Sequence, residues 1–212
     1  MYSELLFKSN LLLDLLIKDA PSLELAGISF YEIDDFAVKV SAFRQLPKEI
    51  DLVNVKKTVE RSLGASRIEL TVTLRKFESN ARFAWGTTRS MYSAFNNPKM
   101  NSMKPIELIH FARSVRVAAD QYLYELVDFG MTKSRIIALQ NKIDNYFVAL
   151  KNMGRVSKYC DSVRKTSEIK MKELKVMNKA LASSAYDLWV DSSELKAQEY
   201  EMFVDKKINL TP

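Results

Sequence analysis

Apolar residues recur three and four positions apart along most of this chain. The first run passes through Leu5, Leu12 and Leu16, with Ser9 in register between them. This spacing places side chains on one face of an α-helix. Equivalent runs follow in both halves of the chain, so the sequence predicts long amphipathic helices.

A capping box marks the start of the second predicted helix. Ser29 stands three residues before Glu32, so its hydroxyl can accept the Glu32 backbone N–H while the Glu32 carboxylate reaches back to the cap. The residues that follow also alternate as a hairpin would, but Phe36 and Val40 keep helical spacing. We interpret the stretch as a helix that ends before Pro47.

The next segment, from about residue 51 to residue 95, is predicted to be one long helix. It contains the strongest alternating run in the chain, 68–74, which is rich in β-branched residues. No second convincing strand is available to pair with it, so we predict helix. The alternative is a strand near residues 67–76, which makes the N-terminal half α+β.

The second half begins at Pro105, a residue suited to the first turn of a helix, and keeps its apolar spacing to Phe129. Gly130 interrupts the pattern, and Thr132 can cap the helix that resumes. We expect this helix to end at Gly154. A final helix is predicted from about residue 156 to residue 206.

Two breaks of the same kind lie 103 residues apart, Gly27-Ile28-Ser29 and Gly130-Met131-Thr132. A shift of 103 residues also superposes apolar positions, and the pairs are Leu5/Leu108, Leu12/Val115, Leu16/Ala119, Leu23/Leu126, Ile33/Ile136, Phe36/Leu139, Val40/Ile143 and Phe43/Tyr146, with Ser9/Ala112 in register. Self-similarity at a fixed offset indicates a structural repeat. We predict a single domain, 1–212, with pseudo-repeats 1–96 and 104–208.

Each half then supplies a broken helix and a long return helix, which gives four rods of roughly 45–50 residues. Short connections make successive rods antiparallel neighbours. The predicted fold is an all-α, elongated up-down four-helix bundle of two similar helical hairpins. With its paired Gly-apolar-Ser/Thr breaks, the chain resembles uncharacterised bacterial helical-bundle proteins, and this resemblance implies the fold and no activity.

Composition supports a folded, helical protein, with 47% hydrophobic residues, five glycines and five prolines. The single cysteine, Cys160, excludes an internal disulfide and a cysteine-rich zinc site, and we interpret it as a small buried hydrophobe. We expect a cytoplasmic location. The most apolar N-terminal run, 11–17, is interrupted by Asp14 and is too short to span a membrane.

No arrangement of residues typical of catalysis is present. Glu107 and His110 have the spacing that di-iron bundles use, but His110 is the only histidine in the chain and such a site needs a second copy. The five glycines stand alone, so there is no glycine-rich phosphate loop. We therefore predict a protein that is not an enzyme and binds no cofactor.

Charge is concentrated near the C-terminal end. Residues 151–182 contain nine basic and three acidic residues, and the resulting net charge of +6 equals that of the whole chain. Such a surface can contact nucleic acid or another anion, and the candidate residues are Lys158, Arg164, Lys165, Lys172, Lys175 and Lys179. The alternative is a solvated helix face, and the segment has little aromatic residue content for stacking on bases.

Four aromatic residues follow this segment, namely Tyr186, Trp189, Tyr200 and Phe203. Their spacing favours packing between helices, and an exposed Trp189 would instead indicate a contact surface. The sequence thus predicts a non-enzymatic helical-bundle protein with a structural or protein-interaction role, through a protein partner or self-association. The alternative function is nucleic-acid binding through the basic segment.

Overall fold

The computed structural model describes residues 2–25 and 27–204, and helices dominate both ranges. The α-helices are α1 (Tyr2–Leu25), α2 (Phe30–Arg44), α3 (Glu49–Trp85), α4 (Pro105–Gln121), α5 (Leu123–Leu126), α6 (Lys133–Val190) and α7 (Glu194–Glu201). Short 3-10 helices span Ser90–Ala94, Met100–Ser102 and Val127–Phe129. No strand occurs in the described residues, which confirms the predicted all-α helical bundle.

The alternative strand near residues 67–76 is wrong, because these residues lie inside α3. Leu70, Leu74 and Phe77 are buried at helical spacing, and this long-range packing overrides the β-propensity of the run. The polar β-branched residues are also accommodated within the helix. Thr73 donates its hydroxyl to the carbonyl four residues earlier at 2.8 Å, a bond that satisfies the side chain without leaving the helix.

Several helix ends differ from those that the sequence predicts. Gly154 does not end a helix, since α6 runs unbroken from Lys133 to Val190. An interior glycine costs only about 1 kcal/mol relative to alanine, and buried residues on both sides outweigh that cost. The predicted final helix instead breaks after Val190 and resumes as α7, and its predicted end at residue 206 lies outside the described residues.

The predicted helix to residue 95 is also too long. Gly86 adopts a φ of 71° and ends α3 at Trp85, so the remaining residues form a loop and a short 3-10 helix. The helix after Pro105 stops at Gln121, before the short α5. Both breaks fall where the apolar spacing continues, so periodicity alone does not reveal them.

The chain divides by contacts into two compact units. Unit 1 comprises Met1–Lys48 and Asp161–Pro212, and unit 2 comprises Glu49–Cys160. The core of unit 1 is built from α1, α2 and the C-terminal part of α6, including Leu12, Phe36 and Leu174. The core of unit 2 is built from α3, α4, α5 and the N-terminal part of α6, including Leu74 and Tyr146.

The unit boundaries differ from the predicted repeat boundaries, because residues 96 and 104 both lie within unit 2. The two breaks are nevertheless locally alike. Gly27 and Gly130 both have a φ of 87°, a left-handed conformation that glycine adopts without strain. The next residue donates its N–H to the carbonyl five residues back, from Ile28 to Leu23 at 2.9 Å and from Met131 to Leu126 at 3.0 Å.

The caps after the two breaks are similar but not identical. Ser29 Oγ accepts the Glu32 N–H at 3.3 Å, and the Glu32 carboxylate accepts the Ser29 N–H at 2.8 Å, which completes a capping box. Thr132 Oγ1 accepts the Arg135 N–H at 3.3 Å, without the reciprocal bond. The nine residue pairs from Leu5/Leu108 to Phe43/Tyr146 that the shift of 103 positions superposes are all buried, whereas the glycine and hydroxyl residues of the paired breaks are not. These likenesses support the internal repeat, which stays a prediction.

Candidate interaction surface

The predicted basic contact residues all lie on α6. Lys158 is exposed and belongs to unit 2, whereas the other five belong to unit 1. Arg164 is half-buried, and its Nη1 lies 3.8 Å from the Asp161 carboxylate. The five candidates of unit 1 lie on one stretch of α6, and the four lysines among them are exposed: Lys165, Lys172, Lys175 and Lys179.

Two aliphatic residues share this surface with the lysines. Ile169 is 58% exposed and Val176 is 68% exposed. They alternate with three of the lysines at steps of four and three residues, a spacing that aligns side chains along one side of a helix. We call this row the lysine seam, and its members are Lys165, Ile169, Lys172, Val176 and Lys179. It extends over about 21 Å at 1.5 Å per residue.

The opposite side of the same stretch forms part of the unit 1 core. Leu174, Asn178, Leu181 and Ala185 are buried and follow the same steps of four and three residues. Asn178 Nδ2 donates to Ser9 Oγ at 2.8 Å, and this bond ties α6 to α1. Since the apolar and amide contacts fix the rotation of α6, the lysine seam is held outward.

Acidic residues lie close to the seam on α6 and on α1. Glu168 lies within helical reach of Lys165 and Lys172, yet it makes no ion pair with either. On α1, Lys8 Nζ lies 3.2 Å from the Glu4 carboxylate, and hydrogen bonding to Lys8 lowers the pKa of Glu4. The seam thus places the side chains of Lys165, Lys172 and Lys179 on one side of α6, with acidic residues close by.

A shallow cleft adjoins the seam in unit 1, with a volume of about 460 Å³. Its lining combines cations, apolar side chains and one buried amide: Leu5, Lys8, Lys175, Val176, Asn178, Lys179, Met202 and Phe203. Lys8 and Lys175 come from different helices, so the sequence alone does not bring them together. This cleft widens the basic and apolar surface beyond the single helix.

A buried polar cluster fixes α7 in unit 1. Asp19 is 3% exposed and accepts hydrogen bonds from Lys196 Nζ at 2.7 Å and from Tyr200 OH at 3.1 Å. Burial, with the Asp19 charge second, raises the pKa of Tyr200 above its ordinary range. Lys196 Nζ also lies 4.0 Å from the Trp189 ring centroid, at cation–π distance. Asp19 thus joins α7 to α1, and Trp189 joins α7 to the end of α6.

The aromatic residues near the end of the chain contribute to packing. Tyr200 is fully buried, and Tyr186, Trp189 and Phe203 pack against the unit 1 core. Trp189 is half-buried, so the exposed indole that would mark a contact surface is not found. The prediction of inter-helix packing agrees with this placement.

The single histidine and the single cysteine lie on different helices. His110 is exposed on α4, and Cys160 is a buried free thiol that is 1% exposed. Within the described residues, no group of three or more His, Cys, Asp or Glu side chains is placed to hold a metal ion. The Glu107 carboxylate accepts the Lys104 N–H at 2.9 Å and thus serves the start of α4.

None of the described helices combines the length and the apolar character needed to cross a membrane. Comparisons with known protein families, with characterised proteins and with solved structures find no match to this chain.

Three residues of this surface, Ile169, Val176 and Lys8, were not predicted from the sequence. The exposed Ile169 and Val176 were not predicted, although the seven-residue recurrence of the lysines at 165, 172 and 179 indicates their side of the helix. Lys8 has no such signal, because its approach to Lys175 depends on the packing of α1 against α6. The candidate surface is therefore a product of both local spacing and tertiary packing.

Proposed function

We propose that this chain is a non-enzymatic helical protein that binds a protein partner, and that the partner offers an acidic amphipathic helix to the lysine seam. The observation that carries the proposal is the alternation of exposed Ile169 and Val176 with exposed lysines on one side of α6. This spacing matches the packing surface of a second helix. Carboxylates on the partner would complement the lysines.

The aliphatic members favour a protein over a purely electrostatic partner. Burial of a Val or Ile side chain contributes about 1.5–3 kcal/mol when complete, and each of these residues is now more than half exposed. A phosphate backbone offers no surface that would bury them. The lysines would set the partner and its register, since charge complementarity acts mainly on specificity and association rate.

Pairing of the seam with the seam of a second copy is disfavoured by its own charge. Such a contact would place three lysines against three lysines, and like charges across an interface cost affinity. The proposed partner is consequently a different, acidic surface. A location in a reducing compartment, such as the cytoplasm, is part of the same proposal and is supported by Cys160, which is a free thiol buried in unit 2.

A defined probe tests the proposal directly. A helical peptide with Leu and Glu alternating at steps of four and three residues should bind the protein in fluorescence anisotropy. Ile169→Ser and Val176→Ser should each weaken binding by about fivefold or more, because each removes apolar contact area. Lys165→Glu with Lys172→Glu should abolish the binding by charge repulsion.

Matched controls lie on the same helix. Ile137→Ser and Val148→Ser remove aliphatic residues with similar exposure, 56% and 54%, from the unit 2 part of α6. These variants should bind the peptide as the parent protein does. Equal losses in the seam and control variants, or no binding by the parent protein, would refute the proposal.

Nucleic-acid binding remains the second candidate, and the seven-residue recurrence of exposed lysines on α6 is the observation that favours it. A gel shift with duplex DNA or RNA at ~50 and ~200 mM salt separates the two functions. For nucleic acid, Lys165→Glu with Lys172→Glu should abolish binding, whereas Val176→Ser should leave it unchanged. Binding of that pattern without peptide binding would replace the proposed function by the alternative.

A further inference from the structure

A polar cleft of about 350 Å³ lies in unit 2, between α3 and the loop that precedes α4. Its α3 wall carries two arginines, Arg75 and Arg82, with Glu78 between them in sequence. The loop wall carries amide side chains, and the set is Asn96, Asn97 and Asn101. The cleft is thus lined by cations and hydrogen-bonding groups.

Arg67 links the loop to α3 through hydrogen bonds. Its Nη2 donates to the carbonyl oxygens of Met103 at 2.7 Å and Asn101 at 3.2 Å, and its Nη1 donates to Tyr146 OH at 3.1 Å. This guanidinium is therefore occupied by the protein itself. By holding the backbone of the loop in place, it fixes the position of the Asn101 side chain relative to α3.

Asn101 in turn orients the next arginine. Arg75 Nη2 donates to Asn101 Oδ1 at 3.0 Å. A guanidinium carries five N–H donors in a planar fork, and this is the one hydrogen bond that Arg75 makes with the described residues. The remaining donors of an oriented guanidinium suit a carboxylate or phosphate group, which it can bind in bidentate fashion.

The carboxylate in the cleft forms no ion pair with the two arginines among the described residues. Glu78 stands three residues after Arg75 and four before Arg82, positions from which helical ion pairs form. It instead accepts a hydrogen bond from Tyr92 OH at 3.0 Å, and Tyr92 is buried. No ion pair joins Glu78 to either arginine within the described residues. Two guanidinium groups therefore line the cleft without an ion-paired carboxylate in the described part of the chain.

From this arrangement we infer that the cleft binds a small polar molecule through an oxyanion, with Arg75 and Arg82 as the charged contacts. Its volume lies at the lower end of the range of small-molecule sites. The asparagine amides would recognise hydrogen-bonding groups next to the oxyanion. Phosphate and carboxylate share the required chemistry. This site lies in unit 2 and does not depend on the function proposed for the lysine seam.

Titration with three probes tests the inference and distinguishes the two sources of the oxyanion. Inorganic phosphate, malonate and a neutral sugar are each added to the full chain, and the side-chain amide signals of the asparagines are followed by NMR. Phosphate or malonate should shift these signals with saturation below about 10 mM, and the sugar should not. The tighter of the two anions identifies the class of ligand.

Substitutions in the cleft test whether the anion binds there. Arg75→Gln and Arg82→Gln should each weaken anion binding by about tenfold or more, since each removes a charge-assisted contact. Glu78→Gln keeps an acceptor for Tyr92 OH and removes a negative charge, so it should tighten binding severalfold. Arg61→Gln, an exposed arginine of α3 outside the cleft, should leave binding unchanged.

Two outcomes would overturn the inference. One is the absence of saturable binding of either anion by the parent protein. The other is a loss in Arg61→Gln as large as that in Arg75→Gln, because it would assign the effect to the general charge of α3. Far-UV circular dichroism of each variant shows that helix content is kept, so a loss of binding is not a loss of folding.

Discussion

Removal of the Asp19 carboxylate is expected to destabilise unit 1 by about 3–5 kcal/mol, the cost of leaving the other members of a buried charged cluster without their partner. Asp19 is 3% exposed and accepts two hydrogen bonds, from Lys196 at 2.7 Å and from Tyr200 at 3.1 Å. The change Asp19→Ala deletes both acceptors at once.

The magnitude follows from the two donors left behind. Loss of a hydrogen bond to a charged group costs about 1.5–3 kcal/mol, and an unsatisfied buried hydroxyl costs about 1–3 kcal/mol. Tyr200 is fully buried, so its hydroxyl finds no water. Lys196 is 34% exposed at its side chain and regains part of its hydration, which keeps the total below the sum of the upper limits.

Urea unfolding measures the effect, and the chain offers a separate reporter for each unit. Its two tryptophans are Trp85 in unit 2 and Trp189 in unit 1. In a Trp85→Phe background, the fluorescence of Trp189 follows unit 1 alone. Asp19→Asn keeps an acceptor for Tyr200 and should lose only about 1–2 kcal/mol.

The exposed Asp14 on the same helix provides the control, and Asp14→Ala should change the free energy of unfolding by less than about 0.5 kcal/mol. A double-mutant cycle of Asp19→Ala with Tyr200→Phe should show coupling of about 1 kcal/mol or more. If Asp19→Ala matches Asp14→Ala, or if the double mutant is additive, the buried cluster does not anchor α7 as described.

Three further predictions concern glycines in the backbone and the loss of stability at alkaline pH. Gly27→Ala and Gly130→Ala should each lose about 1–2 kcal/mol of unfolding free energy in urea melts, because both glycines have a φ of 87°. Gly154→Ala should gain up to about 1 kcal/mol in the same melts, since an added Cβ meets no atom within 4 Å and the helix is continuous there. Tyr200 keeps its proton more tightly in the folded state, because burial raises its pKa above the ordinary value of 10.0. The stability that this pKa shift contributes is present below about pH 10 and is lost as the pH rises above that value. The thermal midpoint of Tyr200→Phe should therefore fall less steeply at alkaline pH than that of the parent protein.

The sequence predicts much of the fold because helix signals are local. The spacing of Leu5, Leu12 and Leu16 identifies the buried side of α1, and all three are buried. Ser29 and Glu32 stand at the separation a capping box needs, and the box is formed. These features require only neighbours within one or two helical turns.

Local sequence signals do not predict whether an isolated glycine ends a helix. Gly86 and Gly154 are both isolated in helical patterns, yet the first ends α3 and the second lies inside α6. The difference of about 1 kcal/mol between glycine and alanine in a helix is smaller than the energy of the packing around it. The outcome at each position is therefore decided by contacts with other helices.

The candidate surfaces likewise depend partly on the sequence and partly on the tertiary structure. The concentration of basic residues between 151 and 182 and the helical spacing of Lys165, Lys172 and Lys179 are properties of the sequence alone. The same stretch of α6, however, has a second row with equal spacing that includes Leu174 and Leu181. The spacing of apolar residues predicts that the second row is the buried one, because lysines interrupt the first, and Leu174 and Leu181 are buried.

Only the tertiary structure decided that Leu174 and Leu181 share a core with α1 and α2, because those helices lie more than 100 residues earlier in the sequence. It likewise placed Asn101 against Arg75 and turned Glu78 toward Tyr92. The sequence by itself determined the helical character of the chain, the capping box at Ser29 and the position of its basic residues. The partners of each helix face come from long-range packing, which local spacing does not encode.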